Sequence, residues 1–287
     1  MKPFPSIAVA SGKGGTGKTT IAVNLAWALS KSGRRVQYLD CDVEEPNGAI
    51  FLKPSFQSKE PVLVEVPQVN LNKCIGCGKC GQLCQYGAIV SLGKQVLTFE
   101  ALCHSCGGCI QICPTEAITA KQLEVGVVEQ GMAGAVDCVQ GLLQIGSVRT
   151  PTVIRQTRKR SRADAIRILD APPGTSCPVI SAARDVDFML LATEPTPFGL
   201  HDLKLAVGMV RQLGLPFGVA INRSDIGDDR VVQYCREENI DILLQIPDDR
   251  KIAESYSRGE MMIEALPHYE PMFLQLYESI QSRGSGR

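Results

Sequence analysis

Gly12-Lys13-Gly14-Gly15-Thr16-Gly17-Lys18-Thr19 is the stretch that decides the fold. It follows the apolar run Ile7 to Ala10 and opens the helical stretch that starts at Lys18 and runs to Ser32. A Gly-x4-Gly-Lys-Thr string between a strand and a helix is a complete phosphate-binding loop. Glycines let successive backbone N–H groups turn inward on phosphate oxygens, and the helix start adds its partial positive charge. Lys18 is therefore expected to reach the β- and γ-phosphates of a nucleotide, and Thr19 to ligate Mg²⁺. Gly12, Lys13, Gly14, Gly15, Thr16, Gly17 and Thr20 complete the expected cradle.

Further along the chain, Val36 to Leu39, Ile166 to Leu169, Phe188 to Ala192, Phe217 to Ile221 and Ile242 to Ile246 are short and rich in Val, Ile and Leu. Strands buried on both faces have this composition. Helices are expected between them at 178–184, 200–213, 229–238 and 249–258, with a last one at 269–282 before a Gly/Ser tail. Alternating strands and helices imply an α/β fold: a mostly parallel sheet with helices on both faces. Residues 123–159, punctuated by Gly126, Gly131, Gly134, Gly141 and Gly146, read as irregular strands and loops.

Into this pattern falls a second chemistry. Eight of the 12 cysteines form two copies of one string, Cys74-x2-Cys77-x2-Cys80-x3-Cys84 and Cys103-x2-Cys106-x2-Cys109-x3-Cys113. Adding 29 to each ligand number of the first copy gives the second, and Ala88-Ile89 maps likewise onto Ala117-Ile118, so the segment is an internal duplication. Three thiolates two residues apart on a tight loop wrap one face of a cubane, while the fourth leaves toward the neighbouring cluster. One [4Fe-4S] cluster is thus assigned to Cys74, Cys77, Cys80 and Cys113, and the other to Cys103, Cys106, Cys109 and Cys84. Zinc favours two ligand pairs more widely separated, and disulfides need an oxidising compartment. The segment resembles the two-cluster bacterial ferredoxin over roughly residues 65–120, departing from it where Gln85 replaces the proline that Pro114 supplies in the second half. The expected domains are 1–64 and 121–287 as one nucleotide-binding domain, and 65–120 as a small α+β insert.

Lys13 and the Lys-Gly-Gly start make the phosphate loop resemble the deviant Walker A motif of the MinD/ParA/Mrp class of ATPases, which includes the nitrogenase iron protein. That resemblance implies ATP as the nucleotide, a dimer across which Lys13 contacts the facing subunit's phosphates, and a catalytic set of Lys13, Lys18 and Asp42. Asp40-Cys41-Asp42 stands where the class has its first switch. Asp42 would position or activate the attacking water and Asp40 would lie nearer the magnesium, although either could cap the next turn. Asp170-Ala171-Pro172-Pro173-Gly174-Thr175 resembles the class's Walker B and second switch, with Asp170 on magnesium through water and the Gly174 N–H on the γ-phosphate. Asn222 matches an adenine-contacting asparagine, and Ile246-Pro247-Asp248 a base-binding loop.

Four cysteines remain. Cys41 and Cys235 read as small apolar residues. Cys177 stands seven residues after Asp170, the offset of a bridging-cluster ligand in the nitrogenase iron protein. With Cys138 it is a candidate for a third [4Fe-4S] cluster across a dimer axis, buried thiols being the alternative.

Thirty basic residues balance thirty acidic ones, so bulk charge argues for neither nucleic acid nor an anionic membrane. No apolar run approaches the roughly 18–20 residues of a membrane span. The first five residues begin no secretory leader, and a cytoplasmic protein is expected. The basic run Arg155, Arg158, Lys159, Arg160, Arg162 reads as a solvated face, and the stripe Met272, Phe273, Leu276, Tyr277, Ile280 as core packing. Taken together, the chain is expected to be an ATPase forming a homodimer, or a heterodimer with a related ATPase, whose closure around ATP gates electron transfer through the clusters to a partner protein. The alternative is an Mrp-type carrier or assembly ATPase that delivers clusters to an acceptor protein, and a weaker one is a positioning ATPase with redox-sensing clusters.

Overall fold

Every apolar run expected to be a strand is one, and among those that run one residue further are the strands that end at Asp40, Asp170 and Asn222. The computed structural model describes residues 5–284; the first four residues, on which the expectation of no secretory leader falls, and the last three of the Gly/Ser tail lie outside them. In chain order the strands are β1 (Ser6–Ser11), β2 (Val36–Asp40), β3 (Ser55–Val69), β4 (Ile89–Leu92), β5 (Gln95–Thr98) and β6 (Ile118–Ala133). There follow β7 (Val136–Leu143), β8 (Ile166–Asp170), β9 (Phe188–Thr193), β10 (Phe217–Asn222) and β11 (Ile242–Ile246). The helices are α1 (Lys18–Lys31), α2 (Gly48–Leu52), α3 (Lys79–Leu83), α4 (Gly108–Gln111), α5 (Thr150–Arg158) and α6 (Cys177–Ala183). The remainder are α7 (Pro197–Leu213), α8 (Arg230–Glu237), α9 (Arg250–Ser257), α10 (Met262–Ala265) and α11 (Glu270–Gly284).

The chain divides into two units. One takes the chain to Lys59, Val128–Leu142 and the chain from Ile154; the other is Glu60–Val127 with Leu143–Val153, more of the chain than residues 65–120. The main sheet has the order β11-β10-β9-β1-β8-β2-β7-β6-β3. From β11 to β7 every neighbouring pair is parallel. Both β1 and β9 are buried along their whole length, as strands covered on two faces must be. The chain leaves β1 toward β2 on one side and reaches β9 on the other, so the end of β1 lies where the strand order reverses. Ligands of open α/β sheets bind at such a point, beyond the carboxyl ends of the strands. Asp40, Asp170, Asn222 and Pro247 stand at or just beyond those ends.

Helix α1 is fixed by Ile21, Leu25 and Leu29, which join Phe273, Leu276, Tyr277 and Ile280 of α11 in one core. The apolar stripe of α11 is therefore buried packing. No helix of the described residues is long and apolar enough to cross a membrane. The basic run of α5 is not wholly solvated: Arg158 donates to the Ser181 and Arg184 carbonyls.

Residues 123–159 depart from the expectation of irregular structure: they form the end of β6, all of β7 and α5. Two of their glycines answer to tertiary structure rather than breaking the strands. Gly134, at φ 55°, makes the turn from β6 to β7 beside the Trp27 ring, and a Cβ at Gly131 would lie 2.0 Å from the Ser55 carbonyl oxygen of β3.

The second unit has its own small core of Cys80, Ile89 and Ile118, against which Val69, Val96 and Ile110 pack. Strands β4 and β5 form an antiparallel hairpin. The two repeats of the unit interlock reciprocally: Asn70 N–H donates to the Ala117 carbonyl at 2.7 Å, and Phe99 N–H, 29 residues on, donates to the Ala88 carbonyl at 2.8 Å. The duplicated sequence has become a duplicated structure.

Gly131→Ala is expected to lower stability by about 1–3 kcal/mol, since the obstacle is backbone that cannot rotate away. Gly208→Ala, on an exposed stretch of α7 with nothing within 4 Å of the new Cβ, is expected to raise it by about 0.5–1 kcal/mol. Urea unfolding followed by circular dichroism checks both.

Candidate functional site

Lys18, first residue of α1, is pulled down onto the sheet. Its Nζ lies 2.6 Å from Asp170 Oδ1 and 3.3 Å from Asp42 Oδ2. The loop before it turns through two left-handed glycines, Gly15 at φ 81° and Gly17 at φ 87°. Gly17 is required twice, since a Cβ there would also meet Asn222 Nδ2 at 2.4 Å. Gly12 admits no side chain because a Cβ would lie 2.4 Å from the Asp202 carbonyl of α7. On the same side Lys13 Nζ sits 6.0 Å above the ring of Phe198, which is 76% exposed.

A cleft of about 420 Å³ opens over this loop, within the range of small-molecule sites. Gly14, Gly15, Gly17, Lys18, Thr19 and Thr20 form its floor, and Asp42, Glu45 and Asn47 one wall. Pro173, Asn222, Arg223, Pro247, Asp248, Asp249 and Tyr256 close the other side. The cleft thus gathers the expected floor residues Gly14, Gly15, Gly17, Lys18, Thr19 and Thr20 with Asp42, Asn222 and Pro247, while Gly12, Lys13 and Thr16 do not line it.

The carboxylates are arranged differently from expectation. Asp40 and Asp170 face each other in register across β2 and β8, and both are fully buried. Asp170 Oδ1 takes the Lys18 ammonium and Oδ2 accepts from the Tyr38 hydroxyl at 3.1 Å. Asp40, expected near the magnesium, instead caps the following turn: it accepts from Asp42 N–H at 3.2 Å and Gly48 N–H at 2.9 Å. Of the expected set of Thr19, Asp40 and Asp170, only Thr19 lines the cleft, while Asp40 and Asp170 lie beside each other and buried. Burial, and next the Asp170 carboxylate, hold the Asp40 pKa well above the usual carboxylate range, with Lys18 opposing. Burial also lifts Asp42 against the pull of Lys18. Burial acts to lower the Lys18 pKa, but Asp170 and Asp42 outweigh it and the net shift is upward. Gly174 is also placed otherwise: at φ 95° its N–H donates to the Ser11 carbonyl at 2.9 Å rather than facing the cleft.

Glu45, Asn47, Arg223, Asp249 and Tyr256 join the site without having been expected. Asp249 could have been found, because an aspartate before a helical stretch is a cap signal, and it does accept from Lys251 N–H at 2.8 Å. Tyr256 could not: it lines the cleft because its ring packs 4.9 Å from Phe51 of α2, a tertiary contact with no local signature.

The cysteines assemble in two sets. Cys74, Cys77, Cys80 and Cys113 line one cavity of the second unit; Cys84, Cys103, Cys106 and Cys109 line another. Left-handed Gly76, Gly78 and Gly107 turn the loops that present them. The last cysteine of each string has its thiol made more acidic by the backbone that follows it. Burial would raise Cys84, but N–H groups of Tyr86, Ala88 and Ile89 outweigh it and lower its pKa. The same holds for Cys113 with Thr115, Ala117 and Ile118, at positions 29 residues on. Among the described residues, no three His, Cys, Asp or Glu side chains close on a single-ion position. The thiols ring each cavity instead, a donor set that fits the corners of a polynuclear cluster.

The remaining cysteines separate. Cys177 is exposed at the start of α6, whereas Cys138 is only 3% exposed inside β7, and burial followed by Asp137 pushes its pKa up to about 12. A cluster shared through a subunit surface cannot draw on a thiol inside the sheet, which corrects the pairing of Cys138 with Cys177. Cys41 and Cys235 are buried, as apolar residues should be.

A family model described as the CobQ/CobB/MinD/ParA nucleotide binding domain matches residues 7–263. An uncharacterized protein of Methanocaldococcus jannaschii is 30% identical over 268 residues, 92% of this chain and 93% of that one. The iron-sulfur cluster carrier protein of Aquifex aeolicus is 28% identical over 280 residues, 92% of this chain and 63% of the carrier. Among solved structures, the septum site-determining protein MinD of Pyrococcus horikoshii, complexed with Mg-ADP, gives a TM-score of 0.59 at 21% identity and 98% coverage of both chains.

Removing the cation beneath the loop should be costly. Lys18→Met strands buried carboxylates, and a loss of about 3–5 kcal/mol is expected near neutral pH. The lost cation lets the already raised Asp40 pKa rise further. A folded-state carboxyl pKa above its unfolded value makes stability fall as pH rises through that interval. The variant's deficit should therefore shrink as pH is lowered toward the unfolded carboxylate range, as read by urea unfolding at several pH values.

Proposed function

Because the chain belongs to the CobQ/CobB/MinD/ParA family of nucleotide-binding domains, we propose that it is an ATPase that carries iron–sulfur clusters and delivers them to an acceptor protein. The observation that carries this reading is the presence in one chain of a phosphate-loop cleft and two four-cysteine cavities. The likeness to an iron-sulfur cluster carrier over 92% of the chain supports it.

The cleft residues suggest how nucleotide is used. Polyphosphate competes with Asp170 and Asp42 for the Lys18 ammonium, and Thr19 with the freed Asp170 carboxylate would hold Mg²⁺. Magnesium would neutralise charge on the β- and γ-phosphates. Once Lys18 moves to phosphate, Asp42 loses the partner that holds its pKa down, and its basicity rises toward that of a general base for the attacking water. Asn222, Pro247 and Tyr256 form the wall for the base. Lys13, outside the cleft on its own chain, is free to act on a second copy's phosphates, so hydrolysis belongs to a dimer.

A second reading has its own support. Each cavity presents four thiols, and a saturated ligand set retains its cluster while electrons pass. On this reading nucleotide-driven closure gates electron delivery to a redox partner.

One experiment separates the two. Protein reconstituted anaerobically with iron and sulfide is incubated with ADP or ATP and an apo-ferredoxin acceptor, following iron in each protein and the reduction potential of the donor. Cluster moving to the acceptor only during ATP turnover upholds the carrier; iron staying bound while the potential moves with nucleotide replaces it by the electron gate. Lys18→Ala should lower turnover by about 10²–10³-fold and abolish either effect, while leaving the iron–sulfur absorbance in place.

A further inference from the structure

Among the differences between the two cysteine cavities, one brings a hydroxyl where the duplication would have left none. Ser105 occupies the place 29 residues beyond Gly76, between the first and second cysteines of its string. Both residues are left-handed, Gly76 at φ 73° and Ser105 at φ 55°. A non-glycine residue there costs about 1–2 kcal/mol. The strain is accepted, and the hydroxyl it brings has no use within the protein: Ser105 Oγ is buried and without a hydrogen-bond partner among the described residues. A buried hydroxyl left unpaired costs a further ~1–3 kcal/mol, so its acceptor has to be sought in whatever fills the space beside it.

That space is the cavity of Cys84, Cys103, Cys106 and Cys109, which Ser105 lines. Its backbone already serves the same group, the Ser105 N–H donating to Cys103 Sγ at 3.4 Å. Tyr86 and His104 border the cavity too, their rings stacked at 3.7 Å and 20°. In the other repeat the matching residues are Thr115 and Ile75, and no such stack exists. Nor could the serine be transferred: a Cβ at Gly76 would lie 2.9 Å from the Gly93 carbonyl carbon. The first cavity has a hydroxyl of its own in Thr115, but it lies 3.8 Å from Cys113 Sγ and so already has a partner.

We propose that the Ser105 hydroxyl donates a hydrogen bond to a sulfur of the cluster held by Cys84, Cys103, Cys106 and Cys109, and thereby raises the reduction potential of that cluster alone. The proposal rests on the reading of these cysteines as cluster ligands. The physics is direct. Adding one electron makes the cluster more negative, a hydrogen bond to sulfur is stronger in that state, and the reduced form is favoured. Ser105 is a positioning residue here: it forms no bond to iron and sets where an arriving electron rests.

The test is a redox titration of the reconstituted full chain with dithionite, followed by electron paramagnetic resonance, for wild type, Ser105→Gly and Ser105→Ala. Glycine relieves the backbone strain and alanine keeps the Cβ, so agreement between them isolates the hydroxyl. Both variants should bind wild-type iron and sulfide, and one of the two potentials should fall by an amount equal to about a tenfold change in the reduction equilibrium, 59 mV for one electron. Thr115→Val should leave that potential in place and move only the other. Two wild-type potentials in both Ser105 variants, with iron content unchanged, overturn the proposal. Wild-type protein that binds no iron–sulfur cluster overturns the cluster reading, and the proposal falls with it for a separate reason.

Discussion

The buried contact between Lys18 and Asp170 is the constraint on which the nucleotide end of the molecule is built. Parallel pairing of β2 with β8 sets Asp40 directly beside Asp170, two carboxylates in a place with no water to solvate them. Such a pair persists only if cations and N–H or O–H donors compensate it. Lys18, Tyr38, Gly48 and the Asp42 amide do so between them. These donors tie the first helix after the loop, the second strand and the start of α2 to one point. Gly48 lies so close to the Tyr38 hydroxyl that an added Cβ would sit 2.3 Å away, so the approach leaves no room for a larger residue. On the proposed reading nucleotide affinity is a difference: phosphates would gain Lys18 only as far as the carboxylates release it.

The cysteine unit obeys a similar rule with backbone instead of side chains. Its core is small, and the parts that organise it are turns forced by left-handed residues and the two reciprocal hydrogen bonds between its halves. The N–H groups that follow Cys84 and Cys113 converge on sulfur because the chain turns sharply after each. A thiol acidified by fixed dipoles leaves less to rearrange when a metal group binds. Each cavity takes three cysteines from one string and the fourth from the other, so neither half alone lines a complete set.

What the sequence made legible follows the strength of local physics. The strands ending in Asp170, Asn222 and Ile246 could be read from apolar runs alone, and the phosphate loop from its glycines, because these features are contiguous in the chain. Residues 123–159 resist reading for a definite reason: Gly131 and Gly134 look like breakers, but one answers to the distant Ser55 and the other to the Trp27 ring. The same limit applied to function. Asp40, at the end of its strand, invites a metal role, and only the fold shows both of its oxygens taken by backbone. Cys177 suggests itself by its offset from Asp170 and Cys138 only by rough position, and burial in β7 sets Cys138 apart. Tyr256 reaches the cleft through Phe51, which no periodicity encodes.

A coupling between nucleotide and clusters, whichever form it takes, must be reciprocal in its binding free energies. If ATP changes the affinity for a transferable cluster, bound cluster changes the affinity for ATP by the same factor. If ATP changes a reduction potential, reduction must change ATP affinity equally. The two readings therefore differ in which variable the Lys18 exchange answers to, cluster occupancy or electron count. The saturated cysteine sets favour electron count, because releasing a cluster breaks four thiolate bonds whereas accepting an electron breaks none. The likeness to cluster carriers favours occupancy. A carrier with saturated sites must then draw on ATP to loosen ligands that are otherwise complete, and this gives the hydrolysis step a purpose that simple nucleotide binding would not.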